Sequence, residues 1–173
     1  HCPIDGEKIK ACIKCKSCSI MSGFGGAGAF SDGKYNITND FGGTLYEYIG
    51  RQKALELMKY VDTINMSHGG EGTKMYSTAG TDLKKVCLQN KLKLLDASVR
   101  HLGTDVNYVV LKNLYDEMKE HMDFFFDTPV EKIQVKEDGY TVSAKDAEYA
   151  CRKCIVSVGR SGSKWMENVC EDL

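Results

Sequence analysis

Residues 22–34 read SGFGGAGAFSDGK, and how this stretch is taken decides the fold. Gly23, Gly25 and Gly28 match the G-x-G-x-x-G spacing of a dinucleotide-binding loop. That spacing has a mechanism only where a buried strand delivers the chain to the loop and a helix leaves it, so that the helix N-terminus faces a pyrophosphate. Neither neighbour is of that kind. Upstream, ACIKCKSCSIM is cysteine-rich and lysine-studded rather than a continuous Val/Ile/Leu run. Downstream, Ser31-Asp32-Gly33 and Asn39-Asp40 are turn chemistry, and no helix of useful length fits between Gly28 and Gly33. The segment is expected to be a glycine-rich loop whose backbone approaches another chain segment or a flat ligand.

The surroundings are those of an ordinary globular chain. With 173 residues, 42% hydrophobic and 27% charged, the length suits one domain, or one and a piece of another. The formal net charge of -1 gives no basis for a nucleic-acid or anionic-membrane partner. No apolar run approaches the roughly 20 residues of a membrane span, and HCPIDGEKIK has no signal-peptide core. A cytoplasmic location is expected.

Seven of the eight cysteines fall in two groups. Cys2, Cys12, Cys15 and Cys18 form C-x9-C-x2-C-x2-C, while Cys151, Cys154 and Cys170 lie near the other end. In the first group the x2 spacings allow successive thiolates to converge on Zn²⁺ or an iron–sulfur cluster. The same residues also suit reduced thiols, some packed as small hydrophobes. Cys151 and Cys154 fall within an expected strand, where side chains three apart face opposite ways, so they are read as structural.

Along the chain, residues 1–43 show no periodicity and are expected to be irregular. Leu45, Tyr48 and Ile49 begin a helical pattern, and after Gly50 the set Ala54, Leu57, Met58, Val61 and Ile64 continues one stripe to Gly69-Gly70. Thr81-Asp82 caps a third helix, with Leu83, Val86 and Cys87 on one face. LKLLDASV, 92–99, reads as a strand, and Thr104 caps a helix to about His121 whose inner face is Val110, Leu114 and Met118, with Leu111 and Tyr115 alongside. MDFFF reads as a short buried strand. VEKIQVK, the Glu137-Asp138-Gly139 turn, YTVSA and AEYACRK read as an antiparallel meander, CIVSVG as a final apolar strand, and SKWMENVCEDL as an amphipathic helix.

This order, with GAGAFSDGKYNIT at 26–38, VRHLGTD at 99–105 and SVGRSG at 157–162, resembles the bacterial FAD-dependent dehydrogenases of the two-dinucleotide-binding-domain flavoprotein superfamily. The resemblance covers nearly the whole chain and is most specific at 26–38 and 100–105. It implies an α/β fold, α+β as an isolated fragment: a partial FAD-binding, Rossmann-like domain with a β-meander and a helical substrate-side region. Residues 1–43 would be the flavin-facing segment, 44–103 the substrate-side region and 104–173 the rest of the FAD domain. Family members begin with a strand, a true G-x-G-x-x-G turn and a helix, so the chain is expected to be an internal piece lacking that unit and inactive alone.

The resemblance assigns roles as well. Gly25, Gly26, Ala27, Gly28, Phe30, Ser31, Asp32 and Gly33 would lie against the flavin ring, and Lys34 would assist negative charge on the reduced ring. Val130 would meet the adenine end of FAD, and Gly159 and Arg160 the pyrophosphate. His101, beside Arg100, could orient a substrate carboxylate or donate a proton; a structural histidine at a strand end is the plainer alternative. Lys34, Arg100 and His101 are thus the catalytic candidates for hydride transfer with a small-molecule substrate, and self-association is expected along the uncovered edges of MDFFF and CIVSVG. The rival from another class is a cysteine-rich metal-binding or interaction module without catalysis.

Overall fold

The computed structural model describes residues 2–15, 18–145, 147–159 and 162–172. The chain is mixed α/β with two small antiparallel sheets. It divides into two compact units, His1–Met122 and Asp123–Leu173. Among the described residues no helix is long and apolar enough to cross a membrane.

The first unit opens its regular structure with one turn of 3₁₀ helix, Gly26–Phe30. Strand β1 (Lys34–Ile37), helices α1 (Leu45–Ile49) and α2 (Arg51–Asn65), a π-type turn Met66–Gly70, β2 (Met75–Ser77), α3 (Leu83–Gln89), β3 (Ser98–His101) and α4 (Thr104–Met118) follow. The sheet order is β1-β3-β2, with Lys34 opposite His101, Tyr35 opposite Arg100, and Met75 also opposite Arg100. Alternation then sorts the faces. Tyr35, Ile37 and Arg100 turn toward α2 and α4 and are at least half-buried, while Lys34, Asn36, His101 and Tyr76 are exposed on the other face.

Strand β1 was expected to be irregular, and its pairing explains why it is not. Gly33 takes φ 64, a left-handed turn open to glycine without penalty, and swings the chain onto the end of β3. There the Leu102 amide donates to the Gly33 carbonyl at 2.9 Å and the Gly103 amide to that of Asp32 at 3.1 Å. The strand expected over 92–99 begins only at Ser98, leaving 92–97 outside the sheet. The inner stripe of α2 is also rotated from expectation. Ala54, Asp62 and Asn65 are buried, whereas Leu57 and Val61 are each 44% exposed. A charged partner for Asp62 makes this polar face tenable. α4 agrees better with its periodicity: Val110 and Asn107 are fully buried, with Leu114 and Met118 half-buried.

The second unit is the expected meander, β4 (Lys132–Lys136), β5 (Gly139–Ala144) and β6 (Ala147–Cys151), followed by helix α5 (Ser163–Asp172). Lys136 lies opposite Gly139 across the Glu137-Asp138 loop. Ile133, Ala144 and Val169 form the small core, and the Trp165 indole N–H donates to the Glu131 carbonyl at 3.2 Å. MDFFF and CIVSVG, expected as strands, enter no ladder. The aromatic run instead packs ring on ring, Phe125 on Tyr149 at 4.9 Å and Phe124 parallel to Phe126 at 5.9 Å. Residues 153–158 run without backbone hydrogen bonds to any described residue, and Ile155 is 92% exposed. An apolar strand needs a neighbour's backbone as well as its own composition.

Candidate glycine-loop site

Two distant stretches, 25–34 and 98–107, build one surface in the first unit. The fully buried Asn107 on the first turn of α4 joins them. Its amide nitrogen donates to the Gly28 carbonyl at 2.8 Å, and its Oδ1 accepts the Tyr35 hydroxyl at 2.7 Å. Burial raises the Tyr35 phenol above its ordinary value, which keeps it a donor. Gly33 is buried at the junction, where a Cβ would lie 3.0 Å from Leu102 Cβ, 3.1 Å from the Gly103 carbonyl and 3.2 Å from Asn107 Cβ. Gly25 is pinned in another way, since a Cβ there would come within 2.7 Å of Ala29 and 2.9 Å of Leu111.

The outer edge of the same loop is open. A Cβ added at Gly26 or Gly28 would meet nothing within 4 Å, Ala27 is exposed, and Phe30 is 62% exposed. The Ser31 hydroxyl accepts the Gly33 amide at 3.1 Å and shapes the turn. Asp32 and Lys34 form an exposed ion pair at 2.6 Å. The Lys34 ammonium, with a smaller contribution from His101, holds the Asp32 carboxyl below its usual range. Asp32 and Lys34 are therefore an ion pair beside an accessible glycine backbone, with His101 on the same face of the sheet.

Arg100 belongs to the opposite face. Its Nε and Nη2 donate to the two Asp62 oxygens at 2.9 and 2.7 Å, and Nη1 to the Thr73 carbonyl at 2.7 Å. The side chains of the pair are 14% and 11% exposed. The bidentate contact fastens β3 to α2, on the face away from Lys34 and His101.

The second unit holds the remaining candidates. Val130 lines an apolar cleft of ≈ 400 Å³ together with Ile133, Val142, Cys154, Val158 and Trp165. Gly159, with φ 66, follows directly after Val158. Arg160 lies outside the described residues.

Among the described residues no three His, Cys, Asp or Glu side chains are grouped as metal ligands. Cys2 and Cys18 are half-buried, Cys12 and Cys15 exposed, and the structure gathers them at no common centre. β6 stops at Cys151 and the chain bends at Arg152, so Cys154 lies beyond the strand in which it was expected; both cysteines are half-buried, and burial raises the Cys154 thiol above its ordinary value.

Asn107, Tyr35 and Asp62 were not singled out from the sequence. Tyr35 lies inside the distinctive 26–38 stretch; Asn107 and Asp62 carry no local signal, because a buried polar residue is recognisable only by its partner. The chain matches no family model, no curated protein and no solved structure.

Proposed function

We propose that the chain is the central part of an FAD-dependent oxidoreductase of the two-dinucleotide-binding-domain type, with residues 25–34 facing the flavin ring. The observation that supports this reading is the junction at Asn107: the two stretches that carry the resemblance, 26–38 and 100–105, lie side by side and leave one backbone edge open. The residues present suit a flat ligand. Gly26 and Gly28 offer no side chain between backbone and ring, and Phe30 supplies exposed apolar area. When bound, FAD supplies the ring that accepts or donates a hydride. Lys34 places a positive charge beside that edge, Asp32 fixes its position, and His101 on the same strand face is the available proton donor or carboxylate-orienting group. Arg100 holds the strand that presents His101. In the second unit, taken by itself, Val130 and residues 154–158 line an apolar cleft whose walls suit a flat heteroaromatic ring such as adenine. Small molecules are the partners this reading implies. It also implies self-association where Ile155 leaves apolar surface uncovered, to be read by sedimentation over a concentration series.

Titration with FAD, followed by flavin fluorescence, tests the assignment. FAD should bind saturably, Gly28→Val should weaken binding about tenfold or more, the equivalent of at least ~1.4 kcal/mol, and Lys34→Ala should weaken it less. Gly28 has room for a side chain and needs no left-handed backbone, so circular dichroism of the Val variant should be unchanged. Absence of saturable binding, or equal binding by Gly28→Val, would overturn the proposal.

A further inference from the structure

The sheet β1-β3-β2 has an exposed face, and its register sorts that face into two rows of different chemistry. In the first row Lys34 stands opposite His101. Lys74 joins them from the residue before β2, one step beyond the pair of Met75 and Arg100. The Lys74 ammonium lies 4.9 Å from the centroid of the Tyr76 ring, which holds it down on the sheet, on the same face as that ring. Two residues along each strand, the second row is Asn36, Val99 and Tyr76, paired strand to strand. Lys34, Asn36, Lys74, Tyr76 and His101 are exposed, and Val99 is half-buried. Directly paired side chains start about 5 Å apart and the two rows lie about 7 Å apart. The face thus presents basic groups at one end, and a ring with an aliphatic floor at the other.

We infer that this face binds a small organic acid with one carboxylate and an apolar body about 7 Å long. Charge decides the number of carboxylates. Lys34 and Lys74 bring two positive charges, and Asp32, 2.6 Å from the Lys34 ammonium, offsets one of them. His101 lies between the two lysines in the row and offers a ring N–H donor in either protonation state. The second row carries no charge. Val99 and Tyr76 suit a hydrocarbon chain or ring, whereas a second carboxylate above them would lose water without gaining a cation. The Asn36 amide, at the edge of that row, suits a single hydroxyl or amino substituent. As a ligand of the sheet the acid stands on this geometry alone. As the donor or acceptor of the flavin hydride it rests on the function proposed above, since Lys34 opens the strand into which the glycine loop leads.

The test titrates the full chain, without FAD, with phenylpropionate, acetate and adipate, and follows the backbone amides of isotope-labelled protein by NMR. Phenylpropionate should bind saturably and shift the amides of residues 34–36, 74–76 and 99–101. Acetate lacks the apolar body and adipate adds a second charge, so each should bind about tenfold more weakly or worse. Lys74→Ala should weaken phenylpropionate about tenfold and Lys74→Arg should retain it, while Tyr76→Ala should weaken phenylpropionate and leave acetate unchanged. The inference is overturned if phenylpropionate does not saturate, if acetate or adipate binds equally well, or if the shifts fall around Trp165 instead. The three ligands on the unsubstituted chain decide the question even where a variant fails to fold. The FAD titration is a separate measurement. Binding of phenylpropionate without binding of FAD upholds the sheet site and removes its flavin role, and binding of FAD alone overturns the sheet site and leaves the flavin reading in place.

Discussion

The two units hold their sheets together by different means. In His1–Met122 the fastening contacts are polar and join far-apart residues: Arg100 with Asp62, Asn107 with Gly28 and Tyr35, and Thr38 with the Asp96 carbonyl at 2.7 Å. In Asp123–Leu173 each strand pairs with the next in the chain, and the interior is three small apolar side chains, Ile133, Ala144 and Val169. A few buried polar contacts thus fix which segments meet in the first unit, and local hairpins fix it in the second. Buried polar contacts are specific because an unmet partner is costly.

Removing one member of such a contact should show the contrast most strongly. Arg100→Ala leaves the Asp62 carboxylate buried without its cation and should cost about 3 kcal/mol or more. Trp165, the chain's single tryptophan, lies in the second unit. Urea unfolding followed by circular dichroism should therefore move to lower denaturant while the Trp165 transition stays near its original midpoint. Equal shifts in both signals would dissolve the distinction between the units.

Asn107→Ala removes both of its side-chain contacts, leaving the Tyr35 hydroxyl without its acceptor and the Gly28 carbonyl with the Ser31 amide alone, for a loss of about 2 kcal/mol. The same circular-dichroism transition should report it, and FAD binding should weaken because the loop is no longer held. The matching lesion in the second unit is Gly139→Ala. Its Cβ would come within 2.2 Å of the Cys151 carbonyl from a backbone at φ 149, so the β5–β6 pairing must give way. A cost of about 1–2 kcal/mol is expected, this time in the Trp165 signal and not in the first unit.

The smallest effect is one of pH. His68 Nδ1 faces the Ile64 carbonyl at 2.7 Å and Nε2 faces Glu117 Oε2 at 2.8 Å. Both ring nitrogens thus meet acceptors, which suits the doubly protonated imidazolium. The Ile64 carbonyl first, and then Glu117, raise the His68 pKa above its ordinary 6.5. A raised pKa means that the folded state binds the proton more tightly, so this contribution is full below about pH 6.5 and is lost as the pH rises through the folded-state value. Stability of the first unit should decline modestly over that window, and His68→Gln should flatten the decline.

The parts legible in the sequence were those whose cause is local. The helical periods of residues 45–64 and 104–118, and the alternation from Lys132 to Cys151, are set by neighbours a few positions away, and they emerged as α1, α2, α4 and the meander. β1 was hidden because KYNI is neither strongly apolar nor bounded by anything but turn residues; its strand character comes from β3. MDFFF and CIVSVG misled in the opposite direction, being apolar enough for strands but meeting no partner strand among the described residues. At the site, the glycines and Lys34 could be picked out because missing side chains and charge are visible one residue at a time. Asn107 and Asp62 could not, since a polar residue on a helix reads as surface until the residue it meets is known.

The unpaired backbone of residues 153–158 also has a consequence for isotope exchange. Its amide protons have no acceptor among the described residues and should pass to deuterated solvent almost as fast as those of an unstructured peptide. The amides of β5, bonded on both sides at the centre of the meander, should be the slowest of the second unit. The two rates make this run a clock for whatever covers it. A strand added there from any source would slow residues 153–158 toward the rate of β5, and the change could be followed without a label or a substitution.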